Sequence, residues 1–350
     1  MRIKRIVCEN PHETMWAAYV WFESEPIVQD FLQQKYEQNG IENAKTYAFQ
    51  NTERFLFAIK QAREYYRTAG QSDLLVKPLL LYYGMVSLIK AVLIATDPAY
   101  PRNVRVLQHG LSTRRRKTRQ YRFFDDLCQP QREGLFPLFA AACGAPDEAR
   151  MAEQTARRLL ALIPDLRHSY MRLVGTPSCL PLTVRRVGNG VAVDVPGAVL
   201  DIWHVTASRF VDLLNQHRVG EGAFSLRPSA ARPSTVPLEW HSPTLDATDD
   251  EDSPIDFENR LVRYDAQGQP YLVLERKSSH LLPEACAHAC LMYMLGILCR
   301  YEPELWGQYA QGFAAAETAL IGDFLRCSQR KFPNLILNLL NGFPLVFTIG

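Results

Sequence analysis

The stretch LLLYYGMVSLIKAVLIA, residues 79–95, decides the fold of this chain. Apolar residues occur on every side of it when it is drawn as a helix, and Pro78 precedes it where a first helical turn tolerates a missing amide hydrogen. A helix without a polar face is buried on all sides. The stretch therefore predicts the central helix of a bundle, and its length and Lys90 favour a buried core helix over a membrane span.

A second stretch of the same kind, PEACAHACLMYMLGILCRYEPELW, covers residues 283–306. Both stretches have an aromatic–glycine–aliphatic centre, and they end near a base, Lys90 in the first and Arg300 in the second. We expect the two helices to pack on each other. The two bases would then line one pocket together with His109, because a charge inside an apolar helix needs a counterion or water. The alternative is that both side chains reach the bundle surface.

The segment between these helices contains sequence patterns typical of β-strands. LTVRRVGNGVAVDV, residues 182–195, has two β-rich runs around Gly-Asn-Gly, a hairpin signal, and RLVRYDAQGQPYLVLE, residues 260–275, is a second hairpin candidate. One helix is expected between them at 208–218. A further helix is expected earlier in the chain, at 148–164.

The predicted fold class is α+β, a predominantly α-helical bundle with a β-hairpin-rich insertion in the middle. We expect three segments. Residues 1–176 form the N-terminal helical part with a basic loop at 110–122, residues 177–280 the insertion with an acidic loop at 246–258, and residues 281–350 the helices that complete the bundle.

Composition narrows the function classes. The 350 residues carry a net charge of +2, so no global charge bias directs the chain to an anionic partner. The eight cysteines include no C-x-x-C pair, which predicts reduced thiols and a cytoplasmic protein. The motifs of P-loop NTPases, Rossmann enzymes, serine hydrolases and zincins are missing from the sequence. We expect no cofactor and no metal.

The stretch RRRKTRQYRFF, residues 114–124, concentrates positive charge next to aromatic rings. Arginine binds phosphate oxygens through paired hydrogen bonds, and Tyr121, Phe123 and Phe124 could stack on bases. The alternative is a solvated loop, or one that the acidic loop neutralises. The predicted ligand-binding residues are Arg114, Arg115, Arg116, Lys117, Arg119, Arg122 and Tyr121, with Lys90 and Arg300 from the two apolar helices.

Three stretches, KPLLLYYGMVSLIKAVLIATDPAYP followed by VLQHGLSTRRRK and GLFPLF, carry a family resemblance in this order. Together with LLPEACAHACLMYMLGILCRYEPELW they resemble the YaaC-like family over most of the chain, the β-rich middle least. The resemblance implies a bacterial cytosolic protein and little biochemistry.

The bundle is more loosely similar to HEPN-type helical domains, which use an R-x4–6-H motif for metal-independent RNA cleavage. Arg102, Asn103 and His109 match that spacing. Residues 101–110 are expected to form a short helix, which would put Arg102 and His109 on one face. The resemblance then implies that His109 takes a proton while Arg102 stabilises the reacting phosphate. The alternative is a histidine that stabilises a helix C-terminus.

Two other sequence patterns give weaker indications of a chemical role. YLVLERK, residues 271–277, fits a PD-(D/E)xK nuclease pattern in which Asp256 or Asp265 with Glu275 binds Mg²⁺ and Lys277 assists. Glu-x-Lys is a very common triplet, and a hairpin that ends in a solvated charged loop is the favoured explanation. Glu284 and His288, four residues apart, lack the converging ligands of a metal site and are expected to pack within a helix.

These observations predict a protein that binds RNA, or a nucleotide, through the basic segment. Ribonuclease activity through Arg102 and His109 stays open. The alternative is a non-catalytic adaptor that contacts another bacterial enzyme through Trp16, Trp21 and Phe22. No membrane partner is expected, and a homodimer is left open.

Overall fold

The computed structural model describes residues 3–114, 121–146, 153–187, 190–227, 234–243, 255–275, 281–311 and 316–349, with the backbone but not the side chain of Arg114. The described helices are α1 Pro11–Val20, α2 Glu25–Gln38, α3 Ala44–Gln71, α4 Lys77–Thr96, α5 Leu135–Ala142, α6 Ala156–Ala161, α7 Arg167–Val174, α8 Ala198–Trp203, α9 Ala207–Gln216, α10 Glu284–Tyr301, α11 Pro303–Gln311 and α12 Glu317–Asn341. The described strands are β1 Lys4–Val7, β2 Leu111–Arg114, β3 Leu127–Pro130, β4 Gln154–Thr155, β5 Cys179–Pro181, β6 Thr183–Val187, β7 Gly190–Pro196, β8 Ala223–Leu226, β9 Thr235–His241, β10 Val262–Tyr264, β11 Pro270–Val273 and β12 Leu345–Thr348. The mixed, mainly helical fold class is confirmed.

The chain forms two compact units. A helical unit contains Cys8–Leu160 and Leu282–Gly342, and a β-rich unit contains Met1–Val7, Ala161–Leu281 and Phe343–Gly350. This division differs from the three predicted segments at both ends of the chain. The reason is that β1 pairs in parallel with β12, so the first and last strands form one small sheet and belong to the β-rich unit.

The centre of the helical unit is α4, as its sequence predicts. It packs against α3, α10, α12 and α5, and most of its residues are buried. Gly84 brings α3 close, because a Cβ atom there would lie 2.7 Å from the Tyr66 ring, and Gly296 of α10 meets Tyr82 of α4. The packing of the two apolar helices is thus confirmed. By length and hydropathy α4 resembles a membrane span, but 67% of its most apolar window is buried.

The β-rich unit contains both predicted hairpins. The first is β6–β7, which continues through β9 to β8 in an antiparallel sheet, and the second is β10–β11, which pairs with β5. The expected helix at 208–218 is α9. Trp240 and Phe257 are buried in this unit and pack edge to face with ring centres 5.3 Å apart.

The helical unit also contains a sheet that the sequence pattern does not predict. Strands β2, β3 and β4 pair antiparallel, with Leu111 opposite Pro130 and Arg114 opposite Leu127. These strands have two to four residues, too short for a visible alternation. Of the helix expected at 148–164, residues 148–152 lie outside the described part, Gln154–Thr155 are strand β4, and α6 begins at Ala156.

Candidate functional site

His109 and Gly110 lie in an extended linker between a short 3-10 helix, Val104–Leu107, and strand β2. The backbone of this linker is bound to the start of α5. The carbonyl of Gln108 accepts from the amide of Leu135 at 2.7 Å, and the carbonyl of His109 accepts from the amide of Phe136 at 3.1 Å. Carbonyls thus bind amides that the first turn of α5 leaves without helical partners, and this fixes the position of His109.

Two glycines make this close approach possible. Gly110 has φ +71°, and a Cβ atom there would lie 2.6 Å from Cδ of Pro137 and 3.1 Å from the backbone of Gly134. Gly134, at φ +130°, faces the backbone of Gly110. The glycine of the HG pair and the glycine of GLFPLF are therefore one contact, which explains physically why both stretches contain glycine.

The His109 ring lies between two tyrosines of the apolar helices. Its Nδ1 is 2.5 Å from the Tyr82 hydroxyl, and its ring centre is 5.6 Å from that of Tyr293. Burial lowers the pKa of His109, and the charges of Arg300 and Lys90 lower it further. The imidazole is therefore neutral near pH 7, when one ring nitrogen donates and the other accepts a hydrogen bond.

Arg300 lies on the side of α10 that faces α4. Its Nη1 donates to the Tyr83 hydroxyl at 3.0 Å, and its guanidinium lies 4.5 Å from the Tyr301 ring centre. Lys90 is half-buried on α4, seven residues from Tyr83 and thus on the same helical face. Both charges lower the pKa of His109, and the single pocket expected for Lys90, Arg300 and His109 stays a prediction.

A polar cleft of about 790 Å³ opens beside His109. Arg105 and Glu133 face each other across 3.6 Å, whereas Arg132 is exposed and has no carboxylate partner in the part of the chain that the structure describes. Side-chain amides supply both donors and acceptors. The lining residues are Arg105, Gln108, His109, Gly110, Leu111, Gln129, Pro130, Gln131, Arg132 and Glu133.

The expected pairing of Arg102 with His109 on a helix is wrong. Residues 101–103 are not helical, and the 3-10 helix covers only Val104–Leu107. Arg102 Nε lies 2.8 Å from the Asp97 carboxylate, and Asn103 caps the 3-10 helix by accepting from the amide of Arg105 at 2.9 Å. Arg105, not Arg102, shares the cleft with His109.

The basic segment is only partly described. Arg114 ends strand β2, while Arg115, Arg116, Lys117 and Arg119 lie outside the described residues, as do residues 246–254 of the acidic loop. At the far end, Arg122 pairs with the buried Glu317, with Nε 3.3 Å from the carboxylate. The chain itself thus supplies a counterion for one of the six predicted cations.

Two of the three aromatic residues expected to stack on bases, Phe123 and Phe124, are not exposed. Phe123 and Phe124 are buried, and the Tyr121 hydroxyl donates to the buried Asp126. The amide of Phe123 also donates to Glu317 at 2.9 Å. The expectation that Phe123 and Phe124 stack on bases is therefore wrong, whereas Tyr121 is half-buried and its stacking on a base stays a prediction.

The alternative nuclease site is not assembled. Asp265 accepts amides of its own turn from Gln267 and Gln269, and Asp256 accepts the amide of Glu258. Lys277 lies outside the described residues, and Glu275 belongs to no group of three or more potential metal ligands in the described chain. The turn hydrogen bonds explain both aspartates without a metal.

Glu284 and His288 pack inside the helical unit, as expected, but with partners that the sequence did not indicate. Lys331 Nζ of α12 lies 2.5 Å from Glu284 Oε1, and His288 Nδ1 lies 2.9 Å from the Ser328 hydroxyl. All four side chains are buried. This is a polar connection between α10 and α12.

The predicted adaptor surface is smaller than expected. Phe22 is buried and Trp16 half-buried, so only Trp21, 67% exposed, offers a large free ring. A mostly apolar groove of about 410 Å³ lies beside Trp16, between α1 and α3.

Sequence reasoning missed the residues that complete the His109 site. Tyr82 and Tyr293 were visible only as apolar residues of core helices, and Arg105 and Arg132 are isolated bases without a motif. For Tyr82 and Tyr293 the sequence offered one indication, which is that both apolar helices have aromatic residues close to a glycine at their centres.

Comparison with known proteins identifies a family for this chain. Searches of curated proteins and of solved structures found no match. A family described as YaaC-like protein matches residues 20–340, which include α2–α5, the His109 site and α10–α12. Since this match covers most of both units, the chain belongs to the YaaC-like family.

Proposed function

We propose that this YaaC-like protein binds RNA, as a phosphate-bearing ligand, along the basic segment and in the cleft beside His109. The observation that carries the proposal is that strand β2 connects the wall of the cleft to the basic segment. Strand β2 begins at Leu111 in the cleft wall and ends at Arg114, where the run of five further bases starts in the sequence. A phosphate backbone that follows β2 would meet cations at both ends, Arg132 in the cleft and the basic run beyond it.

The chemistry of the cleft suits single-stranded RNA. Three glutamines, Gln108, Gln129 and Gln131, offer amide groups that can read base edges, and the neutral His109 adds a donor and an acceptor. The arginines would contact phosphates. The proposal is binding alone, because the Arg102 side chain is held by Asp97 and does not line the cleft.

We also place the protein in the cytoplasm. All eight cysteines are reduced thiols, and Cys128, Cys179, Cys286 and Cys290 are buried. Reduced thiols in this number are typical of a reducing compartment.

The test compares two triple variants with the same change in charge. R114A/R115A/R116A removes three bases of the segment, and K45A/K60A/R67A removes three exposed bases of α3. Binding of a labelled single-stranded RNA is measured by fluorescence anisotropy over a series of salt concentrations. Each lost phosphate contact lowers the log–log salt slope by about 0.7, so the first variant should lose about 2 in slope and the second almost nothing.

Equal binding by the wild-type protein and R114A/R115A/R116A would contradict the proposal. A pull-down from nuclease-treated lysate tests the adaptor alternative. A protein partner that survives nuclease and high salt, and is lost in W21A, would favour an adaptor that uses the exposed Trp21.

A further inference from the structure

The outward face of α3 exposes two phenylalanine rings. Phe49 is 68% exposed and Phe57 is 57% exposed. Positions 49, 53, 57, 60 and 64 follow the helical spacing of three and four residues, so the two rings share one stripe with Glu53, Lys60 and Glu64. Large exposed apolar groups bordered by charged residues are typical of a contact surface. A partner is therefore expected on this stripe.

The charges of the stripe are symmetric about its centre. Glu53 and Lys60 are exposed, and neither forms an ion pair in the part of the chain that the structure describes. They are about 10 Å apart along the helix axis, too far to pair with each other. Glu53 lies three residues before Leu56, and Lys60 lies three residues after Phe57. Opposite charges thus stand at equal distances from the midpoint between Leu56 and Phe57.

A surface of this kind is complementary to itself. In a twofold contact, residue i of one copy meets residue j of the other, and j meets i. Two antiparallel copies of α3 that are centred between Leu56 and Phe57 place Glu53 opposite Lys60 of the second copy, and they do so twice. Phe57 then lies at the twofold axis beside Phe57 of the second copy, where the two rings can pack on each other.

The same register directs Phe49 to a groove. Phe49 lies seven residues before Leu56 and Glu64 seven residues after Phe57, so Phe49 of one copy meets Glu64 of the other. Glu64 and Arg67 both line the mostly apolar groove between α1 and α3. Arg67 follows Phe49 by five helical turns, which puts Phe49 on the groove side of the stripe. A twofold axis across the helix keeps that side the same in both copies.

The groove suits an uncharged aromatic ring. It has a volume of about 410 Å³, and its wall from α1 includes Trp16. Its arginines are already neutralised within the chain, Arg63 by Glu23 and Arg67 by Glu64. An apolar ring can therefore enter without leaving a charge unpaired.

We propose that α3 is the interface of a homodimer in which a second copy of this chain packs antiparallel on the stripe. Phe57 lies at the twofold axis, Glu53 pairs with Lys60 of the second copy, and Phe49 occupies the groove of the second copy. Aromatic residues at the centre with polar groups around them are typical of protein interfaces. The interface involves neither β2 nor the cleft nor the basic segment, so it does not depend on the RNA proposal.

Sedimentation equilibrium of the full chain measures the dissociation constant of the dimer. The variants F57A and F49A should each weaken the dimer by about tenfold or more, because each removes a buried aromatic anchor at two symmetric places. Y47A is the matched control. Tyr47 is an aromatic residue of the same helix and is 38% exposed, but it lies about 120° around the helix from Glu53. Y47A should dimerise like the wild-type protein.

An exchange of charges tests the register. E53K and K60E each place like charges opposite one another, and each should weaken the dimer by about tenfold or more. The double variant E53K/K60E restores opposite charges and should dimerise close to the wild-type level. A wild-type chain that stays monomeric at every measurable concentration, or a dimer that F57A and F49A leave unchanged, would overturn the interface. A double variant no better than E53K would overturn it as well.

The dimer and RNA binding can be separated with variants already described. R114A/R115A/R116A should remain dimeric. K45A/K60A/R67A should dissociate more readily, because it removes Lys60, and should keep the wild-type salt slope for RNA. The two proposals therefore fail independently.

Discussion

The contact between Gly110 and Gly134 leads to a quantitative prediction for Gly110→Ala. The change forces a side chain into the left-handed region at φ +71°, which costs about 1–2 kcal/mol. It also places a Cβ atom 2.6 Å from Cδ of Pro137, closer than real contacts allow. Overpacking of this kind costs about 1–3 kcal/mol. The free energy of unfolding should therefore fall by about 2–5 kcal/mol.

Gly144→Ala is the matched control. Gly144 has φ +74°, almost the same backbone conformation, but nothing lies within 4 Å of the position its Cβ would take. It should therefore show only the backbone cost of about 1–2 kcal/mol. The difference between the two variants, about 1–3 kcal/mol, isolates the steric contact.

Urea denaturation followed by far-ultraviolet circular dichroism measures both values. The helices of the unit that contains Gly110 and Gly144 dominate this signal. If the two variants lose the same free energy within about 0.5 kcal/mol, the close approach between the His109 linker and α5 does not exist as described.

Three further predictions concern the same unit. Lys331→Met leaves the buried carboxylate of Glu284 without the cation of Lys331, and should lower the free energy of unfolding measured in urea by about 3–5 kcal/mol. The double variant E284Q/K331M should recover much of this loss. Equal losses in the single and double variants would contradict a buried ion pair. Gly84→Ala should lower the free energy of unfolding by about 1–3 kcal/mol, because its Cβ would lie 2.7 Å from the Tyr66 ring. Gly296→Ala, whose Cβ would have its nearest atom at 3.5 Å, should be neutral or stabilising by up to about 1 kcal/mol. A greater loss in Gly296→Ala than in Gly84→Ala would refute the packing of α4. In the folded chain His109 should titrate below its ordinary pKa of 6.5, so the unfolded chain binds the proton more readily. The contribution of His109 to the free energy of unfolding is therefore complete above about pH 6.5 and decreases as the pH falls through the lowered folded-state pKa. The variant H109Q should remove this dependence of the free energy of unfolding on pH.

Local patterns in the sequence were sufficient for the long apolar helices and the two hairpins of the β-rich unit. The uninterrupted apolar run at 79–95 predicted α4, and the Gly-Asn-Gly between two β-rich runs predicted the β6–β7 hairpin. Both follow from periodicity and turn chemistry, which act over a few residues. The site was only partly predictable, because the sequence pointed to His109 but not to Tyr82 or Arg105.

Tertiary structure decided which groups meet. The pairing of β1 with β12 joins the two ends of the chain, and Arg122 meets its carboxylate 195 residues away at Glu317. A run of bases in the sequence has the same appearance whether its charges are free or neutralised from a distant helix. The sequence by itself therefore determined the long apolar helices, the two hairpins and the presence of a basic segment. Only the fold decided which cations have a counterion within the chain, because a charge interacts with whatever lies within a few ångströms of it, and chain separation does not report that distance.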